Sequence, residues 1–159
     1  MAEGRIVRQG AGDRLDVLGD ELRFLAVGEG TGRRFDFMIQ NYSYLVGPPL
    51  HTHRDQDDTF YVLDGVLSVQ IGDEVYELEP GDFATAPPGV PHTFGNMRRG
   101  QALVRAINVM TPGGFDEFLL EFSALPPGPP DAELLRRWHD KYGLTVVGPP
   151  LAVKLGLTD

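Results

Sequence analysis

The segment Gly47-Pro48-Pro49-Leu50-His51-Thr52-His53 decides the fold, together with a second segment that contains Gly81, Pro87, Gly89, His92 and Asn96. These two segments hold three of the four histidines of the chain. Successive side chains on a β-strand alternate between its faces, so His51 and His53 point the same way and can reach one ion. We therefore predict a metal site that these two imidazoles share with His92 and a nearby carboxylate.

Asp58 is the predicted carboxylate of this site, and Asp57 is the competing candidate. The polar stretch 54–57 lets the chain return, so that a carboxylate can face the same cavity as the two histidines. His92 follows the rigid turn Pro87–Pro91, which determines where the next strand begins and where its first side chain points. Asp58 could ligate directly, act through a water, or leave a site of three histidines.

Three imidazoles and one carboxylate suit a divalent transition metal, which could be Fe, Mn, Ni, Co, Zn or Cu. Ca²⁺ and Mg²⁺ prefer nearly all-oxygen ligand sets, so this combination does not suit them. An isolated histidine is more often an ordinary core or surface residue than a ligand, but three at this spacing reverse that preference. His139, which lies among charged residues of a predicted helix, is predicted to be a solvated side chain.

Length and composition limit the classes of protein that this chain can represent. Its 159 residues predict a single domain over 1–159, and the absence of cysteine excludes disulfides, thiolate zinc sites and a cysteine nucleophile. The net charge of −9 repels polyanions and argues against nucleic-acid binding. The beginning of the sequence has no apolar signal region, and no segment is long enough to span a bilayer. We expect a soluble, cytoplasmic protein.

Short apolar runs separated by glycine and proline are typical of an all-β protein. Asp64-Gly65 and Gly72-Asp73 are dipeptides that favour tight hairpin turns. Many short strands at regular spacing predict an antiparallel sandwich or barrel. The predicted strands are Glu21–Val27, Arg34–Tyr44, Thr59–Asp64, Val66–Ile71, Glu74–Leu78, Asp82–Ala86, His92–Gly95 and Gln101–Met110, besides the strand that carries His51 and His53.

The region 111–159 differs from the strands before it. Apolar residues at helical spacing predict a short helix over Gly114–Ser123. Asp131 is a predicted N-cap of a second helix, which Gly143 is placed to end. The final stretch Leu144–Leu155 is predicted to be a strand or an extended arm.

The two histidine segments resemble the two consecutive signature motifs of the cupin superfamily, whose members are small jelly-roll barrels. The second motif matches at every defining position, and the resemblance covers roughly residues 34–110. Two features depart from the usual pattern: Gly47 lies closer to His51 than expected, and Asp58 stands where glutamate is usual. The resemblance implies a cupin double-stranded β-helix with N-terminal strands in 1–33 and short C-terminal helices in 111–159. It also implies His51, His53, Asp58 and His92 as metal ligands.

The tail, from Thr111–Phe118 to Gly148–Leu151, is similar to single-domain cupins that are quercetin 2,3-dioxygenase-like. This resemblance implies a dioxygenase that acts on a flavonol-like or other enolisable aromatic molecule with O₂, and Asp58 or a neighbour would take the substrate proton. A non-oxidative isomerase or cyclase of secondary metabolism, and a non-catalytic metal- or ligand-binding cupin, are the alternatives. The candidate pocket residues are Phe35, Phe37, Tyr42, Tyr44, Phe60, Phe83, Phe94 and Met110, although most aromatics on strands are ordinary core residues.

A homodimer is the expected assembly, because single-barrel cupins resemble one another in pairing through strands and terminal arms. The regions Arg5–Val27 and Leu144–Leu155 could complete a neighbour's sheet. Alternatively, both regions fold back on their own barrel.

Overall fold

The computed structural model describes residues 4–158, and residues 1–3 and 159 of the predicted 1–159 domain lie outside the described range. The described chain forms two sheets that enclose a common interior. Its strands are β1 (Asp13–Val17), β2 (Asp20–Ala26), β3 (Asp36–Ser43), β4 (Pro49–His53), β5 (Asp57–Asp64), β6 (Leu67–Ile71), β7 (Glu74–Leu78), β8 (Phe83–Ala86), β9 (His92–Gly95), β10 (Leu103–Thr111) and β11 (Leu144–Pro150). Its helices are a short 3-10 helix at Glu29–Thr31, α1 (Asp116–Ser123), α2 (Ala132–Tyr142) and α3 (Leu151–Lys154).

The order of the strands is that of a jelly roll. One sheet has six strands in the order β1-β2-β3-β10-β5-β8, and the other has five in the order β11-β4-β9-β6-β7. Several neighbours are far apart in sequence, such as β3 with β10 and β4 with β9, and the paired strands are antiparallel. The predicted all-β cupin barrel is confirmed, and the eight predicted strands differ from the observed ones by at most two residues at either end.

Two tight turns connect β5 to β6 and β6 to β7. Gly65, between β5 and β6, has a φ of +77°, and Gly72, between β6 and β7, has a φ of +60°. Residues with a Cβ rarely adopt this left-handed region, so glycine allows both turns to close. β6 and β7 pair as a hairpin, so the prediction at Gly72-Asp73 is confirmed. β5 and β6 belong to different sheets, so the hairpin predicted at Asp64-Gly65 is wrong, and the chain instead crosses there from one sheet to the other.

Two large apolar clusters lie on either side of a polar layer formed by the buried side chains His51, His53, Asp58 and His92, and a small third cluster surrounds Leu151. One cluster lies beneath α1 and α2 and consists of Leu22, Phe24, Met38, Met110, Phe118, Leu119, Trp138 and Leu144. The other lies inside the barrel and consists of Tyr42, Phe60, Val62, Leu67, Val69, Phe94, Val104 and Ala106. Buried apolar surface of this kind is the main favourable term in folding, and it holds the polar layer away from water.

The C-terminal region follows the predicted helices and differs in its last part. α2 is capped as expected, because the Asp131 side chain accepts a hydrogen bond from the Leu134 amide at 2.8 Å and Gly143 ends the helix with a φ of +68°. α1 starts at Asp116, two residues later than predicted. The prediction of a strand or arm over Leu144–Leu155 is wrong for its second half, because β11 ends at Pro150 and a helical turn, α3, follows. Leu151 is fully buried in this turn, which explains why the chain folds inward there.

Both terminal regions pair with strands of their own chain. β1 is one of the expected N-terminal strands, although the sequence analysis gave it no bounds, and it pairs with β2, while β11 pairs with β4. The fold-back alternative for the two arms is therefore the observed one, and β1 and β11 each form one of the two edges of their sheet. None of the helices in residues 4–158 has the length and apolar character that crossing a bilayer requires.

Candidate metal centre

Strand alternation on β4 turns His51 and His53 into the barrel. The two side chains are 6% and 1% exposed, and their ring centroids are 4.9 Å apart. Just before this strand, the backbone at Gly47 passes so close to β9 that a Cβ there would lie 2.1 Å from the carbonyl oxygen of Phe94. Glycine at position 47 therefore allows β4 to approach β9, although its spacing from His51 departs from the usual motif.

His92 reaches the same point from the neighbouring strand. It is the first residue of β9, and it pairs in register with His51 on β4. The two rings have centroids 4.4 Å apart, and the His92 ring lies 5.3 Å from that of His53. Antiparallel pairing of β4 and β9 thus brings together imidazoles that are far apart in sequence.

Asp58 approaches the histidines from the opposite sheet. It lies on β5, is 3% exposed, and places Oδ2 3.0 Å from His92 Nε2 and 3.4 Å from His53 Nε2. Asp57 precedes it on the strand, so its side chain points to the other face, where it is half-buried. The structure therefore brings Asp58 and not the competing Asp57 to the cluster.

The four predicted ligand residues form one buried group. Their ligand atoms all lie within 4.8 Å of one another, a spacing from which nitrogen and oxygen atoms could surround a single ion. His51, His53, Asp58 and His92 are each at most 6% exposed. The geometric prediction that these side chains converge inside the barrel agrees with the structure.

Backbone carbonyls orient two of the three imidazoles. The Pro49 carbonyl accepts a hydrogen bond from His51 Nδ1 at 2.8 Å, and the Val90 carbonyl accepts one from His92 Nδ1 at 2.9 Å. A carbonyl can only accept, so in the neutral ring the proton is on Nδ1 and the lone pair is on Nε2. Such outer contacts are the ones that orient metal-binding histidines.

The buried atoms of the cluster fit a cation. His53 Nδ1 and Nε2 are both buried without a hydrogen-bond partner among residues 4–158. With Nδ1 protonated, His92 Nε2 directs a lone pair toward the Asp58 carboxylate, and two acceptors 3.0 Å apart repel unless a proton or a metal ion lies between them. A divalent transition metal would satisfy these atoms, and its preferred nitrogen and oxygen ligands are present.

The electrostatics of the cluster favour neutral imidazole at His51 and ionised carboxylate at Asp58. Burial, together with the nearby His92 and His53, lowers the pKa of His51 to about 3. Burial raises the pKa of Asp58, but contacts with His53 and His92 outweigh it and hold that pKa well below its usual range. Burial lowers the pKa of His92, and the hydrogen bond and charge of Asp58 reverse this effect, so the net shift is upward. A cation would therefore meet one carboxylate that already carries a negative charge.

Asn108 is a site residue that the sequence analysis missed. It faces the interior from β10, where it donates from Nδ2 to Asp58 Oδ1 at 2.6 Å and to the Thr59 carbonyl at 3.0 Å. The first bond holds Asp58 Oδ1 and leaves Asp58 Oδ2 directed at the histidines. The sequence contained a signal for this residue. Positions 104, 106, 108 and 110 share one face of the strand, and Asn108 is the one polar residue among them, which indicates a polar role in the interior.

Aromatic rings enclose the cluster. The ring centroid of Phe94 lies 6.3 Å from that of His51, and Phe115 lies 4.8 Å from His53. Phe115 was not among the candidate pocket residues, because the sequence placed it on the apolar face of a helix. Of those candidates, Tyr42, Phe60, Phe94 and Met110 are buried in the interior, whereas Phe83 is 62% exposed on the outside of the barrel.

His139 does not belong to this group. It is exposed on α2, and its Nδ1 lies 2.8 Å from the Thr145 hydroxyl. The prediction that it is a solvated helix residue is confirmed.

Comparison with known proteins agrees with the fold and the site. The family described as Cupin domain matches residues 45–110, which contain all four clustered side chains. The jelly-roll topology and the family match together identify residues 45–110 as a cupin domain.

Among curated proteins, the chain is similar to quercetin 2,3-dioxygenase of Bacillus subtilis (strain 168), with 33% identity over 89 residues. This match covers 56% of the chain and 26% of that relative, so the chain spans about a quarter of the relative's length.

Solved structures support the fold. KdgF from Halomonas sp. has a TM-score of 0.63 at 21% identity, covering 72% of this chain and 99% of that one. The polyketide cyclase RemF from Streptomyces resistomycificus has a TM-score of 0.59 at 22% identity, covering 69% and 80% of the two chains. Both similarities are similarities of fold alone.

Proposed function

We propose that this protein is a metal-dependent cupin enzyme, a quercetinase-like dioxygenase that acts on a flavonol-like or other enolisable aromatic small molecule. The observation that carries the proposal is the buried cluster of three histidines and one aspartate in a chain similar to quercetin 2,3-dioxygenase. His51, His53 and His92 would hold the ion through Nε2, and Asp58 Oδ2 is the proposed fourth ligand atom. When bound, the metal would supply Lewis-acid polarisation of a substrate oxygen and a template for its approach to O₂.

Asp58 is also the proposed proton acceptor for a substrate hydroxyl. Its Oδ2 faces the histidines while Asn108 holds Oδ1, so only one oxygen is free to bind the ion or take a proton. The low pKa of Asp58 makes the carboxylate a better ligand than base before substrate binds, because a strong acid has a weakly basic conjugate base. Direct ligation and proton transfer are therefore alternatives that a variant of this residue can separate.

The surrounding rings would exclude water from the reacting atoms. Phe94 and Phe115 contact the histidine rings, and no ligand side chain is more than 6% exposed. Electrostatic interactions are stronger in such a dry site than in water. The same burial means that a flavonol-sized substrate must displace some of the side chains that cover the cluster.

Oxygen uptake tests this function. Metal-free protein would be reconstituted separately with Fe²⁺, Mn²⁺, Co²⁺ or Ni²⁺ and mixed with quercetin, with His51→Ala as the matched control. We expect O₂ consumption equal to substrate loss with at least one metal and none with the variant. Substrate conversion under strict anaerobiosis would instead support an isomerase or cyclase, and thermal stabilisation by ligand without turnover would support a binding protein.

A homodimer remains our proposal for the assembly. β1 and β11 each leave one side of a sheet edge without a neighbouring strand in the described chain, and such edges can accept a strand from a second copy. Light scattering of the purified protein would give the mass directly, and a monomer mass across the concentration range would contradict the proposal.

A further inference from the structure

Two polar side chains of β3 face the barrel interior and have unused hydrogen-bonding atoms. Gln40 and Tyr42 lie two residues apart, so they share the inner face of the strand, and they are 8% and 6% exposed. Neither Gln40 Oε1 nor the Tyr42 hydroxyl has a hydrogen-bond partner among residues 4–158. Buried polar groups in folded proteins are almost always paired, so these two inward-facing atoms require an explanation. Outside the histidine cluster, the other buried side-chain atoms without a partner in the described chain are Trp138 Nε1 and Asn41 Oδ1, which lies on the opposite face of β3.

Other interior amides of this barrel are paired. Asn96 Nδ2 donates to the Gln101 carbonyl at 2.8 Å, and Asn108 Nδ2 donates to Asp58. Those two side chains therefore have structural or positioning roles. Gln40 Oε1 and the Tyr42 hydroxyl have no such partner in the described chain. Leaving a buried donor or acceptor unpaired destabilises the folded state, so these two groups do not help the fold.

The ring of Phe94 links Tyr42 to the proposed metal centre. Its ring centroid is 5.6 Å from that of Phe94, which in turn is 6.3 Å from that of His51. Burial, and after it the charges of Asp58 and Asp20, raises the pKa of Tyr42, so its hydroxyl keeps its proton and can donate at neutral pH.

Gln40 lies next to a small residue. Its partner on β10 is Ala106, which is fully buried and contributes only a methyl group to the interior. Because Gln40 Oε1 has no partner in the described chain, it can accept a hydrogen bond from a ligand that displaces neighbouring side chains. The pair thus offers one donor and one acceptor on the same wall of the barrel.

We propose that Gln40 and Tyr42 form the substrate-recognition pair of this barrel and bind a planar, oxygen-rich aromatic molecule. One oxygen of that molecule would lie at the histidine cluster, a second would accept from the Tyr42 hydroxyl, and a hydroxyl group would donate to Gln40 Oε1. This inference rests on the proposed function, and it adds the residues that select the substrate class. Sites that hydrogen-bond a substrate in this way discriminate strongly against analogues that lack the group.

The thermal stability of two variants can distinguish a role of Gln40 and Tyr42 in ligand recognition from a role in supporting the fold. Tyr42→Phe keeps the ring against Phe94 and deletes only the hydroxyl, and Gln40→Met keeps the length of the side chain and deletes only its polar atoms. If these groups serve ligand binding, their removal leaves the melting temperature of the free protein equal or higher, because an unpaired buried group is lost. If they support the fold, removal lowers the melting temperature.

The experiment compares the purified full chain with Tyr42→Phe, Gln40→Met and the matched control Tyr61→Phe. Tyr61 also lies on a barrel strand, but it is 43% exposed and faces outward. Thermal melting of the free proteins would be followed by anaerobic titration of the metal-loaded proteins with quercetin and with flavone, which lacks hydroxyl groups. We expect unchanged or higher melting temperatures and a loss of quercetin affinity of roughly tenfold in each interior variant. Tyr61→Phe should match the unmodified protein.

The results distinguish the recognition pair from a role in the fold, and they test the recognition pair separately from the dioxygenase activity. Lower melting temperatures in both interior variants, or quercetin affinity equal to that of the unmodified protein, would overturn the recognition pair. Failure of the unmodified protein to prefer quercetin over flavone would overturn it as well. Selective loss of quercetin binding in the interior variants, with no O₂ uptake by any of the proteins, would support the pair and refute the dioxygenase.

Discussion

His92 Nε2 and Asp58 Oδ2 lie 3.0 Å apart although the two residues belong to different sheets. This contact is where β9 of the five-stranded sheet meets β5 of the six-stranded sheet inside the barrel. Both atoms are buried, and a neutral imidazole there presents a lone pair to a carboxylate. A proton or a cation between them relieves the repulsion, so this pair gives the site an affinity for positive charge.

Removal of a cluster histidine should abolish metal binding. We expect His51→Ala and His92→Ala to retain almost no metal after reconstitution and dialysis, since each deletes one Nε2 from the group of four. Elemental analysis of the purified proteins would measure the metal per chain. His139→Ala, which changes an exposed histidine on α2, is the control and should keep the full content. Equal metal in all three variants would refute the site.

The carboxylate and the amide that orients it should both affect affinity. We expect Asp58→Asn to weaken metal binding more than Asn108→Ala, and Asn108→Ala to weaken it by about 10- to 100-fold, as outer partners of ligands usually do. Titration of the metal-free proteins with Zn²⁺ would measure both effects.

Asp57→Asn is the control for this comparison, because its side chain faces away from the cluster. A loss of affinity in Asp57→Asn as large as that in Asp58→Asn would contradict the assignment. Unchanged affinity in Asp58→Asn would leave a site of three histidines.

Gly47→Ala should destabilise the barrel strongly. The new Cβ would lie 2.1 Å from the Phe94 carbonyl oxygen, and this neighbour is backbone and cannot rotate away. We expect a loss of about 3 kcal/mol in the free energy of unfolding, at the upper end of the usual overpacking cost. Urea denaturation would measure it. Gly30→Ala is the matched control, because a Cβ at Gly30 meets no atom within 4 Å and should change stability little.

Glu121 should make the packing of α1 on α2 depend on pH. The Tyr142 hydroxyl donates to its carboxylate at 2.5 Å, and Arg137 and Lys141 lie nearby. The hydrogen bond from Tyr142 lowers the pKa of Glu121, burial opposes this shift, and the cations add to it. Because the folded pKa of Glu121 is below the unfolded value of about 4.3, the stabilisation is present at neutral pH and is lost as the pH falls through the folded pKa.

Glu121→Gln should therefore be less stable than the unmodified protein by about 1 kcal/mol at pH 7, and the difference should shrink toward pH 3. Urea denaturation at several pH values would show this convergence. Glu74→Gln removes an exposed carboxylate that has no ion pair in the described part of the chain, and it serves as the control. A constant difference for Glu121→Gln at all pH values would contradict the linkage.

The strands could be predicted because alternation and turn chemistry are local, and the convergence of the histidines could be predicted because their segments resemble the cupin motifs. Strand alternation places His51 and His53 on one face, and the turn glycines Gly65 and Gly72 require no distant information. The C-terminal turn α3 was missed for the opposite reason. Its apolar residues fit a strand as well as a helix, and burial of Leu151 against the barrel decided between them.

The short strands, their turns and the shared face of His51 and His53 were thus available from amino-acid order, because periodicity and turn chemistry operate over a few residues. The barrel was available through the resemblance of the two histidine segments to the cupin motifs. Three-dimensional packing decided the remainder: that Asp58 and not Asp57 joins the histidines, that Asn108 holds its carboxylate, and that Gln40 and Tyr42 keep unpaired polar atoms. These features arise where strands distant in sequence become neighbours. Hydrogen-bond partners across such contacts are determined by the closed barrel and have no local signature in the chain.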